Sequence, residues 1–136
     1  MVRIKRWKER KIRMNPIERL PDSELAVMMV LWREKEELGT GKITELLEEE
    51  KGWTRSTTQV LLSRLEEKKF IQCYKQGRFK YYKVMVEEQD YRMKETKKFV
   101  EHFYKDSYKN LVASLVETKA LTKEDISELF DLIQKS

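Results

Sequence analysis

The chain has 136 residues, enough for one ordinary domain or two very small ones. Its 40% hydrophobic share allows a real core, while 39% charged residues with only 4 Gly and 2 Pro favour helices with solvated faces. One Cys excludes an internal disulfide, no run of 18 apolar residues offers a membrane helix, and the basic N-terminus lacks the apolar stretch of a secretory signal, so the chain reads as cytoplasmic.

The net charge of +5 is unevenly spread. Residues 1–13 carry +6, from seven Lys/Arg and one Glu. Residues 53–83 carry another +6, from eight Lys/Arg and two Glu, whereas 87–136 sum to −2. Local basic patches, more than total charge, steer a protein toward a polyanion.

Residues 1–19 read as a basic, flexible arm in which Trp7 and Ile12 belong to no sustained period, and Met14 is an alternative start. Pro21, Asp22 and Ser23 mark a helix start with Pro near the first helical position. Leu25 to Trp32 is apolar nearly all round, as in a buried helix. After Gly39, Thr40 and Gly41, the residues Ile43, Leu46 and Leu47 put one stripe on a short second helix, which runs to about Glu50 and turns at Gly52.

Thr54 is a good cap for a third helix. At 100° per residue, Thr54, Thr57, Leu61 and Leu65 fall on one side with Leu62 at its edge. Ser56, Gln59 and Ser63 fall on the other, flanked by Arg55 and Val60, and the acids Glu66 and Glu67 are held back to the C-terminal end. An ordinary solvated helix carries Glu/Lys pairs along its outer face, and this one does not. Phe70 to Lys75 and Phe79 to Val86 then read as strands of a hairpin around Gln76, Gly77 and Arg78, with Lys75, Arg78 and Lys80 at its tip. Lysines also protect the edge of a merely solvated hairpin. The position directly after the third helix favours the other reading, a winged helix-turn-helix.

From Thr96 a helical stripe runs through Phe99, Val100, Phe103, Tyr104, Tyr108, Leu111, Val112, Leu115 and Val116, with a break expected at Asp106 and Ser107. Thr122 with Asp125 forms a capping-box-like start for a last helix striped by Ile126, Leu129, Phe130 and Ile133. So few helices cannot bury this much aromatic surface alone. A symmetric dimer is the simplest solution, and packing back onto the first domain is the alternative.

Chemistry is sparse. His102 and Cys73 lie too far apart in sequence to suggest a metal site, and no nucleophile triad, phosphate loop or dinucleotide fingerprint is present. No metal, cofactor or catalytic residue is expected, and the chain does not read as an enzyme. The expected fold is mostly α with a small β-hairpin: the arm 1–19, a winged helix-turn-helix over 20–86 and a helical dimerisation region over 87–136.

The ordered series Leu20 to Met28, Leu31, Trp32, Trp53, Thr54, Thr57, Leu61, Arg64, Leu65, Lys69, Phe70, Ile71, Gly77, Arg78 and Tyr82 resembles the BlaI/MecI/CopY group of bacterial repressors over about residues 17 to 134. Phe99, Val100, Tyr104, Leu111 and Val112 resemble its dimerisation helices. The resemblance implies a homodimer on a dyad operator in double-stranded DNA. In members that control penicillinase, it also implies cleavage by a membrane sensor-protease before a Phe in the first dimerisation helix. Lys98–Phe99 is the matching pair, with Lys98 where the family carries Asn. The paired C-terminal cysteines of the copper-responsive branch are missing.

In this reading Gln59, standing where several relatives place Arg, bonds an adenine edge, and Val60 touches a thymine methyl. Ser63 shares their outward face. Arg55, Ser56, Thr57 and Arg64 are candidates for phosphate contacts, while Arg78 and Lys80 grip the backbone or minor groove from the wing. Two rival classes remain. A protein-interaction module would show an apolar outer face on the third helix, and a small-molecule-responsive regulator of another family would show an apolar pocket.

Overall fold

A computed structural model describes residues 17–136, so the basic segment before Ile17, with Trp7, Ile12 and Met14, lies outside the described residues. The first helix, α1 (Asp22–Arg33), starts one residue after Pro21, which is the N-cap and not the first helical residue, and no side chain caps it. Val27, Met28, Val30 and Leu31 face the core, but Met29 is exposed, so the helix is buried on one side only. A strand of two residues, β1 (Leu38–Gly39), follows and leads directly into α2 (Thr40–Lys51). Gly52 ends α2 at φ 69°, a left-handed position that costs glycine nothing.

The third helix, α3 (Arg55–Glu67), is capped by Thr54, whose side chain accepts from the Thr57 amide at 3.2 Å. It ends in a Schellman arrangement. The Phe70 amide donates to the Leu65 carbonyl at 3.0 Å and the Lys69 amide to the Glu66 carbonyl at 3.1 Å, with Lys69 at φ 67°. A hairpin follows, β2 (Ile71–Gln76) and β3 (Phe79–Val84), paired from Ile71↔Val84 to Gln76↔Phe79. Gly77 at φ 66° is the first of its two turn residues, as a type II′ turn requires. β1 joins the other side of β3 through Leu38↔Tyr82, giving an antiparallel sheet in the order β1-β3-β2. The sequence reading missed β1, because two residues carry no alternation to detect.

Helix α4 (Glu88–Tyr104) begins well before the expected Thr96, because its first turn already contributes the buried Tyr91. Ser107 caps α5 (Tyr108–Glu117), and the expected break is there, with Lys105 at φ 49° and Asp106 at φ 67°. The Thr122–Asp125 capping box opens α6 (Lys123–Lys135) with reciprocal bonds of 3.0 Å. No helix among the described residues is long and apolar enough to cross a membrane.

The chain divides into two compact units, the first ending at Lys94 and the second spanning Glu95–Ser136. The core of the first joins α1, α2, α3, the hairpin and Tyr91. Tyr91 sits at its base: its ring lies 5.7 Å from Trp32 and 5.8 Å from Phe70, and its hydroxyl accepts from the Leu20 amide at 3.0 Å. Trp32 donates its indole N–H to the Val86 carbonyl at 2.9 Å.

Two acidic side chains of this unit, Glu24 and Asp90, are buried. Glu24 of α1, 2% exposed, accepts at 2.5 Å from Lys68, the residue that ends α3. Lys68 is itself partly exposed, so it rehydrates when its partner is lost, whereas Glu24 cannot. Lys68→Ala strands a buried carboxylate and should cost about 3 kcal/mol in urea unfolding, while Glu24→Met, which removes the charge and keeps the volume, should cost less than half of that. Equal losses would show that packing alone matters at this contact.

Candidate nucleic-acid interface

The surface of α3 follows from what its other side buries. Thr58, Leu61, Leu62 and Leu65 are inward, and α3 packs on α1 and α2. This corrects the sequence reading by one residue. Thr58 is fully buried and Thr57 exposed, and Leu62, placed there at the edge, is central. The cause is local: Thr54 is an extended N-cap at ψ 162° and fixes no helical phase, so a stripe counted from it runs one residue off. Thr57 is thereby freed for an outside partner, although its hydroxyl lies 3.2 Å from that of Thr54.

Arg55, Ser56, Thr57, Gln59, Val60, Ser63 and Arg64 are all exposed. Val60 is the one large apolar side chain among them, which argues against a protein-docking face. No carboxylate among the described residues forms an ion pair with Arg55 or Arg64. Glu66 is engaged elsewhere and accepts from the Cys73 amide at 3.3 Å, at the start of the sheet. Acids therefore do not compete for the basic groups of this face.

An open hollow of about 440 Å³ lies beside α3, lined by Ser56, Thr57, Val60, Leu61 and Arg64 together with Trp53 and Ser23. Ser23 belongs to the first turn of α1, so the structure brings that turn alongside the candidate contacts. Its long separation from α3 in sequence leaves no local signal of this neighbourhood. At the wing, Lys75 and Lys80 are directly opposed across the strands, and Arg78 follows in the turn, all exposed. Like charges at opposed positions destabilise a hairpin, so this arrangement favours an anionic partner.

A second cleft, of about 820 Å³, lies between the end of α1, β3 and the start of α4. Leu31, Trp32 and Tyr82 floor it, but Glu36, Glu37, Glu87 and Lys83 rim it, so it is not the apolar pocket that a small-molecule regulator would show. Among the described residues no three His, Cys, Asp or Glu side chains gather as a metal would need.

The second unit carries the other candidate surface. Phe99, Phe103, Val112, Ile126, Leu129, Phe130 and Ile133 are exposed, Phe103 to 71%. Tyr104, Leu111 and Leu115 are half-buried, and the Tyr104 hydroxyl donates to Ser114 at 3.2 Å. Val100 differs: it is fully buried within the protomer, so its place in the stripe reflects the protomer's own packing and not a contact surface. The rings of Phe99 and Phe103 lie 5.0 Å apart. Lys98 and Phe99 lie inside α4, so their peptide bond is helical and must unwind to enter a protease cleft.

The family model described as penicillinase repressor matches residues 20–135. The chain is 29% identical over 122 residues to the penicillinase repressor of Bacillus licheniformis, covering 90% of this chain and 94% of that one. It is 31% identical over 121 residues to the methicillin resistance regulatory protein MecI of Staphylococcus aureus, covering 89% and 98%. Among solved structures it is similar to the solution structure of the DNA-binding domain of the repressor BlaI, with TM-score 0.51 and 32% identity over 57% of this chain and 94% of that one. It is also similar to the Bacillus licheniformis BlaI monomeric form in complex with the blaP half-operator, with TM-score 0.50, 32% identity and the same coverage. The winged-helix fold is thus shared with a repressor's DNA-binding domain, and the chain belongs to the penicillinase repressor family.

Proposed function

We propose that this protein is a transcriptional repressor that binds a dyad operator in double-stranded DNA as a homodimer. The observation that carries the reading is the outward face of α3: hydrogen-bonding, free of carboxylate pairing and continued by a basic wing, on a fold similar to that of a repressor DNA-binding domain. In this account α3 lies in the major groove. Gln59 presents its amide to an adenine edge and Val60 its methyls to a thymine. Arg55, Ser56, Thr57, Ser63 and Arg64 hold the flanking phosphates, and Arg78 and Lys80 extend the grip through the wing.

The second unit supplies the dimer. Its exposed Phe103, Phe130 and Ile133 need a cover, and a copy of the same surface provides one by symmetry. Each half-site contact is weak alone, and linking the two raises the effective concentration of the second. Release follows when that linkage is lost. Cleavage at Lys98–Phe99 by a membrane sensor-protease, in response to a cell-wall antibiotic, would separate the reading helix from α5 and α6 without touching α3.

The test is fluorescence anisotropy on the intergenic DNA upstream of the protein's own gene, at physiological salt with excess random duplex. Saturable binding by two protomers per site supports the reading, and loss of the signal to competitor contradicts it. Gln59→Ala should lose ~1–3 kcal/mol on the specific site and little on random DNA, and an equal loss on both would remove Gln59 from base recognition. Arg78→Ala should weaken binding to all sequences and flatten the dependence on salt by about one counterion, visible as a shallower log–log slope. Phe130→Glu should shift sedimentation from dimer toward monomer and weaken operator binding by about a hundredfold, within the range expected of a linked second site. A variant that stays dimeric would place the dimer contact elsewhere.

A further inference from the structure

The outer face of the wing ends on an aromatic ring to which the repressor reading gives no task. Side chains alternate along β2 and β3, so Tyr74 and Gln76 share one face with Tyr81 and Phe79. The two tyrosines are accounted for within the protomer. Their rings stack 5.9 Å apart at 24°, and the Tyr74 hydroxyl donates to Glu37 at 3.1 Å. Phe79 is not: it stands opposite Gln76 at the tip and is 59% exposed.

Its ring carries one cation. The Arg78 guanidinium carbon lies 5.3 Å from the ring centroid, a cation–π distance. Lys75 and Lys80, the next pair along the same two strands, lie on the opposite face of the hairpin, so the tip is apolar on one side and basic on the other. An exposed ring that carries one cation and backs onto two more is poorly served by water and by any uniformly charged surface. The partner that suits it offers anions in a row with apolar surface directly beside them. The minor groove of a duplex has that form, with phosphates along its rims and deoxyribose along its walls. The ring is also continuous with the basic tip already assigned to DNA, and a two-residue turn is narrow enough to enter a groove.

We propose that Phe79 is an apolar wedge by which the wing enters the minor groove beside each half-site. Arg78 holds the ring in place and contacts the adjoining phosphate. The pair restricts both side chains before binding, which lowers the entropy lost on contact. This assignment rests on the DNA-binding reading above.

The experiment compares the full-length protein with Phe79→Ala and Phe79→Leu on a duplex selected from a random pool by the unaltered protein. Phe79→Ala should bind about tenfold more weakly, the loss of one covered apolar side chain, with an unchanged salt slope because no counterion is involved. Phe79→Leu should keep most of the affinity. When an oligopyrrole fills the minor groove of the flanks, the unaltered protein and Phe79→Ala should bind equally. The ring is exposed, so thermal melting should be the same for all three proteins. Equal affinity of Phe79→Ala and the unaltered protein overturns the proposal while leaving the repressor reading intact. So does a loss accompanied by a shallower salt slope, or a difference that survives the oligopyrrole. Failure of the unaltered protein to select any sequence overturns both.

Discussion

Phe70 closes α3 through its amide and receives the end of the hairpin through its carbonyl. The amide donates to Leu65 at 3.0 Å, and the carbonyl accepts from the Met85 and Val86 amides at 2.8 and 3.3 Å. Its buried ring meets the edge of Tyr91, whose hydroxyl holds the chain at Leu20. One residue thus ties the end of α3 to the exit of β3 and to the first turn of α4. The helix cannot rotate about its axis without breaking this junction and lifting Thr58, Leu61, Leu62 and Leu65 from the core. The candidate reading surface is therefore what remains once the core is satisfied. Its composition is under no packing demand and is free to answer to a partner.

Electrostatics act on top of that frame. The chain as a whole is only modestly basic, and three carboxylates of the first unit are occupied away from the outward face of α3. Glu24 is buried against Lys68, Glu66 faces the sheet, and Glu50 accepts from Arg33 at 2.6 Å. The Arg33–Glu50 pair is exposed and adds little stability. The consequence of these three placements is the distribution of charge: Arg55, Arg64 and the wing cations keep their field, and a screened cationic surface captures polyanions through counterion release. In the proposed function, recognition of sequence then rests on the few groups able to meet base edges.

Much of this was legible in the sequence because the signals were local. Thr54, Ser107 and Thr122 cap helices in the structure, and the chain breaks at Asp106 and Ser107 as a cap-and-break pattern requires. The hairpin was legible from its aromatic strands and Gly77, and the polar outer face of α3 from its missing acids. What escaped depends on distant partners or on phase. Glu24 looks like any first-turn acid until Lys68, 44 residues later, is placed beside it. β1 exists only because β3 offers it an edge. The phase of α3 was set one residue off by its cap, which exchanged Thr57 and Thr58. Val100 fitted the apolar stripe so well that periodicity could not separate burial within the protomer from contact with a second one. Phe79 read simply as a strand residue, because alternation does not tell which face of a hairpin tip is covered.

The central claim is that α3 reads bases from the major groove while the wing follows the minor groove. Dimethyl sulfate protection on the bound operator tests it most directly, since the reagent marks guanine N7 in one groove and adenine N3 in the other. The account predicts protected N7 positions in two symmetric half-sites about a helical turn apart, with protected adenine N3 positions at their flanks. Full N7 reactivity across a saturated site would contradict it, and would mean that the basic surface holds the DNA without reading it.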